Sequence, residues 1–359
     1  MRKTLATGLV ALAASPALAG GIERNPQSMA ILFEQGNYAE FGVTYARPRV
    51  SGELFGPGGP ASGNIARRFT TGSFAFKGDV NEQLSYALIL DQPFGADTLY
   101  PTRGTPLDGA AGKIDNTTLT GVLRYSFDGG FSAYAGLRSS WTAGRVALPG
   151  YNMSTDRDQA FGYLLGVAYE MPEIALRVAL TYNSRIKHKF DALEQVAVPG
   201  VGIVPFESNF TTNIPASVNL EFQTGIAENT LAFGSVRWVN WKDFDILPPV
   251  YQSDPARPPL VAYQKNSVTY TLGVGRRFTE NWAGSISVSH DTGNGNPTSN
   301  LGPLGKRNSI GVGASYTLDA MTISAGVQYS RIGSATTNIN SRFGSNSVLG
   351  GGIRIGYRF

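Results

Sequence analysis

The chain of 359 residues has no cysteine, which excludes disulfides and thiol chemistry. Charge is scarce: Asp, Glu, Lys and Arg make up 16%, well under the roughly 25% of ordinary soluble domains. There are only two histidines, His188 and His290. No serine elbow, HExxH pair, phosphate loop or cysteine–histidine metal spacing occurs, so no catalytic residue, metal site or cofactor is assigned. An enzyme built on His290 would draw on Ser287, Ser289 and Asp291 beside it, but nothing marks those serines as activated. His188 stands between Lys187 and Lys189 and reads as part of a solvated strand end. Beyond the N-terminus no apolar run approaches the ~20 residues of a transmembrane helix. The formal charge of +4 comes without a basic cluster interleaved with aromatics, so no nucleic-acid partner is expected.

Glycine, by contrast, is abundant at 44 residues, and the dominant pattern is alternation. In residues 347–359, Ile353, Ile355, Tyr357 and Phe359 fall on one face, with Gly352, Arg354, Gly356 and Arg358 on the other. One face suits hydrocarbon and the other a polar lumen. At the other end, Arg2 and Lys3 precede an apolar stretch at 5–14 and the small-residue motif Ala17-Leu18-Ala19. Together they read as a secretory signal peptide over residues 1–19.

Reading for period two gives fourteen strand candidates, near 37–50, 67–78, 81–91, 115–127, 131–147, 158–170, 174–190, 209–224, 230–245, 262–278, 281–291, 306–318, 321–333 and 346–359. Tight turns such as Asp79-Val80-Asn81, Asp128-Gly129-Gly130 and Met171-Pro172-Glu173 follow the even strands. Longer polar stretches, for example 95–114, 191–208 and 246–261, follow the odd ones. Loop lengths segregated by parity belong to an outer-membrane barrel, with short periplasmic turns and long extracellular loops; a soluble sandwich has no reason to sort them. Phe127, Phe131, Tyr169, Phe278, Trp282, Tyr357 and Phe359 lie near the turn ends, where an interfacial girdle would sit. The expected fold is therefore all-β, a 14-stranded antiparallel transmembrane β-barrel over residues 37–359 in the bacterial outer membrane.

Two local features depart from the strand pattern. Residues 26–35, with Pro26 at the start and Met29, Ile31, Leu32 and Phe33 as an apolar cluster before Gly36, read as a short helix in a hatch segment at 20–36, either inside the barrel as a plug, which the need for burial favours, or below it. In the third strand, alternation over 84–90 gives way to Asp91-Gln92-Pro93-Phe94-Gly95. Pro93 cannot donate to a ladder and Gly95 tolerates a sharp bend. Either the strand kinks inward and opens the wall, or it ends at Asp91.

These residues carry a resemblance. Arg24-Asn25-Pro26 before an apolar run and Phe33, Val50-Ser51-Gly52 after the first strand, Ser184-Arg185-Ile186-Lys187 with Phe190, Asn213-Ile214-Pro215, and Trp241 in the ninth strand are together similar to the FadL/TodX family of outer-membrane transporters for long-chain fatty acids and aromatic hydrocarbons. The resemblance covers the chain after the signal peptide and implies a fourteen-stranded barrel with an N-terminal hatch and a third strand kinked inward to leave a lateral gap. It assigns Asn25 and Pro26 to the hatch motif, with Gln27 where the family has Ala, and Pro93, Phe94 and Gly95 to the kink. It makes Gln264 and Lys265 a substrate-binding pair whose lysine faces a carboxylate. The family's second cation, an arginine after the fifth strand, meets an apolar residue near Leu148, with Arg145 close by. The implied function is passive uptake of hydrophobic compounds, the alternative being a general diffusion porin for small polar solutes. Implied partners are a hydrophobic ligand, outer-membrane lipid, and the barrel assembly machinery through Phe359, with the chain acting as a monomer.

Overall fold

The computed structural model describes residues 21–101, 104–255, 257–344 and 346–359. The expected signal peptide at 1–19 lies outside the described residues. Alternating segments become strands whose faces separate cleanly. In the sixth strand Phe161, Leu165 and Val167 are exposed, whereas Ala160, Leu164 and Ala168 are buried. In the last strand Leu349, Ile353, Ile355 and Tyr357 point outward. Large apolar side chains on the outer face of a closed sheet have hydrocarbon as their natural solvent.

The strands are β1 Tyr38–Arg49, β2 Phe69–Asp79, β3 in two pieces (Leu84–Asp91 and Gly95–Leu99), β4 Ala111–Ser126, β5 Phe131–Leu148, β6 in two pieces (Tyr151–Thr155 and Asp158–Met171), and β7 in two pieces (Leu176–Asn183 and Ile186–Val198). They continue as β8 in two pieces (Gly202–Ile214 and Ser217–Ala227), β9 Thr230–Val239, β10 Ser267–Arg277, β11 Trp282–Asp291, β12 Arg307–Leu318, β13 Met321–Ile332 and β14 Asn346–Arg358. Each pairs antiparallel with the one before it, and β14 closes on β1 from Tyr38↔Arg358 to Arg49↔Ser347. The sheet is thus a closed barrel of fourteen strands, and closure leaves no edge to face lipid.

The even-strand turns are as short as expected. Two odd-strand connections differ from expectation: instead of a loop over 191–208, β7 and β8 run on to Val198 and restart at Gly202. Alternation in fact continues there, with Phe190, Ala192 and Glu194 buried between exposed neighbours, and Gly200 closes the hairpin at φ 78°, which only glycine adopts freely. The β5–β6 hairpin likewise closes on Pro149-Gly150. The ninth strand ends at Val239 and not near 245; Trp241 opens a 3₁₀ turn, Trp241–Asp243, instead of belonging to the strand.

Residues 21–36 run through the barrel interior, touching inward side chains of β2, β4, β7, β8 and β9. Only Ala30–Phe33 is helical, as a single 3₁₀ turn, shorter than the helix expected over 26–35. The sequence offers no N-cap bond at Met29, and the segment's groups are satisfied from the wall. Arg124 Nη1 donates to the Leu32 carbonyl at 2.9 Å, and Lys77 Nζ to that of Gly36 at 2.9 Å. Phe33 lies between the guanidinium groups of Arg124 and Arg177, 4.4 and 4.7 Å from its centroid. Full burial of Leu32 contributes on the order of 1.5–3 kcal/mol to holding the turn in place.

Candidate functional site

Among the described residues the wall is interrupted between β2 and β3, and the sequence shows why. The β2–β3 ladder runs from Asp79↔Ser85 to Phe74↔Leu90 and stops. Strand β2 stays with β1 as far as Ala46↔Phe69, and β3 stays with β4, paired at Asp91↔Thr118 and again at Gly95↔Asp115. Three residues, 92–94, therefore face two, 116 and 117, a bulge that turns β3 away from β2. Across 69–73 the bond from the Gly72 amide to Gln92 Oε1 at 3.2 Å replaces a ladder, which resumes only at Ala66↔Thr98.

The bulge turns inward because it pairs with the segment inside the barrel. The Pro93 carbonyl accepts from the Arg24 and Asn25 amides at 2.7 and 3.2 Å, and the Gly95 amide donates to the Ile22 carbonyl at 2.8 Å. Pro93, lacking an N–H, loses nothing by leaving the β2 ladder. Gly95 leaves room for Arg24: a Cβ there would sit 2.5 Å from Arg24 Cζ, so any side chain would displace the guanidinium. The Arg24 guanidinium in turn lies 4.3 Å from the Phe69 ring centroid, so this side chain bridges the interruption from β3 to β2. Burial pulls the Arg24 guanidinium below its ordinary pKa, opposed by Asp115 and Asp97. The hatch-motif residues sit against the same bulge, with Asn25 Nδ2 donating to Asp91 Oδ2 at 3.2 Å and the Pro26 carbonyl accepting from Asn219 Nδ2 at 3.0 Å.

Residues 21–25 are held on their other side by β9 and the turn after it. Gly21 packs on the fully buried Trp241 ring, which a Cβ would strike at 2.9 Å. Glu23, also fully buried, receives a two-pronged contact from Arg237, whose Nε donates at 3.1 Å; Arg237 Nη1 also donates to Ser217 Oγ at 3.1 Å. Neither Glu23 nor Arg237 stands out in the motifs. An arginine on the inward register of a membrane strand is the signal that points to Arg237.

This strip of chain divides the lumen. On the long-loop side lies a cavity of about 150 Å³ walled by Ile22, Phe94, Phe190, Phe210, Phe244 and Tyr263 among others. On the short-turn side is one of about 180 Å³ bounded by Asn25, Ser28, Asp91, Arg138, Arg177 and Glu221. The first is mainly apolar and meets the interruption at Phe69, Phe94 and Gly95. The second mixes apolar side chains with buried charged ones and reaches it at Ser73 and Asp91.

Other sequence-predicted residues fall elsewhere. Gln264 and Lys265 are exposed, their amides donating to the Asn294 carbonyl at 3.1 and 2.9 Å; neighbouring Tyr263 reaches the apolar cavity. Arg145 is exposed while bordering that cavity. Arg354 and Arg358 are occupied by carboxylates, Glu40 at 3.8 Å and Glu34 at 3.0 Å. His290 points outward with its Nδ1 2.7 Å from Asn308 Oδ1, whereas neighbouring Asp291 is buried on the opposite face, so the grouping with Ser287, Ser289 and Asp291 does not assemble. His188 is the opposite of a solvated strand end: 1% exposed, on the inward face between outward Lys187 and Lys189.

No curated protein matches the chain in sequence. Among solved structures it is similar to a Pseudomonas aeruginosa FadL homologue, with 18% identity over 97% of this chain and 98% of that one and a TM-score of 0.74. It is similar also to the Pseudomonas putida toluene transporter TodX, at 12% identity over 98% of both chains and a TM-score of 0.67. The Ralstonia pickettii toluene transporter TbuX matches at 12% identity over 99% of both chains with a TM-score of 0.64. At such identities the likeness speaks for the fold. The family model for outer membrane transport proteins (OMPP1/FadL/TodX) matches residues 4–354, and the chain belongs to that family of outer-membrane transporters of hydrophobic compounds.

Proposed function

We propose that this chain is a passive channel that captures a small hydrophobic compound in the apolar cavity and releases it sideways, through the interrupted β2–β3 wall, into outer-membrane lipid. The observation that carries this reading is the abutment of the two features: Phe94 and Gly95 form both the cavity wall and the inner lip of the interruption. A buried methylene gains about 0.8 kcal/mol, so the cavity extracts an apolar solute from dilute water. Below it the lumen carries the charged groups of Asp91, Arg138, Arg177 and Glu221 and is blocked by residues 21–25, which makes the wall the cheaper way out for such a solute. Arg24 stands in that path and has to swing from Phe69 to clear it. Two of the similar structures bear the name of toluene transporters, which makes an aromatic hydrocarbon the first substrate to try. Gln264 and Lys265, exposed on the loop side, would be an outer contact for acidic substrates.

Proteoliposomes separate this from a general porin. Labelled toluene should enter saturably while small sugars cause little swelling; rapid sugar swelling without toluene uptake would sink the proposal. The lateral route is tested by Gly95→Leu, whose side chain must displace Arg24 and fill the interruption. Uptake should fall about tenfold, equivalent to about 1.4 kcal/mol on the barrier, with the fast-migrating unboiled band on gels unchanged. Unaltered uptake would remove the lateral route.

A further inference from the structure

The wall of the apolar cavity is broken by one polar patch that the transport reading does not use. Asn116 of β4, Thr142 of β5, His188 of β7 and Thr212 of β8 all face the cavity. His188 and Thr212 are register partners on adjacent strands and so stand side by side. His188 Nδ1 lies 2.7 Å from Asp158 Oδ2. An ionised carboxylate only accepts, so Nδ1 carries a proton, and in the neutral ring Nε2 then offers a lone pair. That lone pair faces two hydroxyls, Thr142 Oγ1 at 3.2 Å and Ser140 Oγ at 3.3 Å. It can accept only one hydroxyl proton well. Asn116 Nδ2 already donates to both of these oxygens at 2.8 Å, so the proton left over has no acceptor within the group. Thr212 Oγ1, on a residue 7% exposed, has no hydrogen-bond partner among the described residues. The unpaired Thr212 hydroxyl on the wall of an apolar cavity, with a hydroxyl proton that Nε2 cannot take up beside it, is a group awaiting a partner, because buried polar atoms are ordinarily satisfied.

We infer that this patch selects apolar ligands bearing one neutral oxygen, an alcohol, phenol or ketone, over the matching pure hydrocarbon or carboxylate. The inference rests on the apolar cavity being the capture site. A neutral oxygen would accept from the surplus hydroxyl and from Thr212, while its apolar body filled the space against Phe190 and Phe210. A pure hydrocarbon leaves both groups unpaired and adds their desolvation to its own binding. An anion is opposed at this spot, since a neutral imidazole backed by the Asp158 carboxylate offers it no positive charge. Of the four cations that line the cavity, Lys113 has Asp115 at 3.0 Å and Arg67 has Asp97 at 3.9 Å, Arg24 lies over the Phe69 ring at the wall interruption, and Arg145 is exposed.

The test compares toluene, benzyl alcohol and benzoate binding to the purified full chain in detergent by calorimetry. Wild type should bind benzyl alcohol at least as tightly as toluene, despite the greater affinity of the alcohol for water, and benzoate most weakly. Thr212→Val keeps the side-chain shape and removes the hydroxyl. It should weaken benzyl alcohol about tenfold and tighten toluene, which no longer strands that hydroxyl, and the retained toluene binding certifies an intact cavity. Thr212→Ser should restore the alcohol. Equal loss of both ligands in Thr212→Val, an unchanged alcohol affinity, or benzoate binding more tightly than the alcohol would each overturn the inference. Toluene binding without alcohol binding would overturn it alone, whereas absence of binding by all three would overturn the capture site with it.

Discussion

The two spaces on either side of residues 21–25 have similar volumes, about 150 and 180 Å³, but only the lower one is crowded with charged side chains. The upper one takes its lining from strand extensions and long loops, where inward positions carry Phe190, Phe210, Phe244 and Tyr263. The lower one is lined at mid-barrel by Arg138, Arg177, Glu221 and Asp91. Inward strand positions line both, and loop residues such as Phe244 and Tyr263 complete the upper wall. An apolar solute gains by staying above the dividing strip, and an ion gains by staying below it. The interruption between β2 and β3 touches both spaces. The strip, held by backbone bonds to Pro93 and Gly95 and by the Glu23–Arg237 pair, keeps them apart.

Removing the strip's anchor should erase the contrast most completely. Arg237→Met leaves the buried Glu23 carboxylate without its partner, a loss of about 3–5 kcal/mol. The denaturant midpoint should fall, and ion conductance across planar bilayers should rise as residues 21–25 leave their place. Replacing both members, Glu23→Met with Arg237→Met, should recover much of the stability. A single variant with the wild-type midpoint and conductance would mean that the strip is held by its backbone alone. A smaller effect separates the two spaces as ligand sites. Phe210→Ala, in the upper wall, should weaken toluene binding by about 1–3 kcal/mol, while Gln223→Ala, below the strip, should leave it within error. Equal losses would abolish the distinction drawn between them.

Most of the scaffold was legible, because period-two alternation is a property of the sequence itself. Fourteen strands, the short turns after even strands, the outward Ile353, Ile355 and Tyr357, and the inward arginines of β14 all follow from it. The strand extensions were legible too: the same alternation places His188 inward between two outward lysines, and it was the local charge run that suggested a solvated end. What alternation could not supply was the pairing of residues far apart in sequence. That Pro93 and Gly95 bond to Ile22, Arg24 and Asn25, and that Glu23 meets Arg237 across the lumen, depends on which strand faces which across a closed ring. The choice at β3 between a kink and an end was undecided for the same reason. The partner that turns the bulge inward lies some seventy residues upstream, about as far as β3 is from residues 21–25.

The exposed pair Gln264 and Lys265 offers the finest test of the contrast, because it lies outside both spaces. If the apolar cavity alone determines affinity, Lys265→Ala changes nothing for toluene. For benzoate or octanoate, the ammonium would act as a solvent-screened attraction of under about 1 kcal/mol, so uptake at low concentration should fall by less than about fivefold. A surface charge with a Debye length of about 8 Å at physiological ionic strength steers more than it holds. The effect should therefore appear in the association rate and vanish in high salt. A large, salt-independent loss of carboxylate binding in Lys265→Ala would instead show that the loop folds over the bound ligand and brings the lysine into the cavity. The capture site would then extend beyond the walls described by Phe190, Phe210 and Tyr263, and the polar patch at His188 and Thr212 would share the ligand's oxygen with a cation.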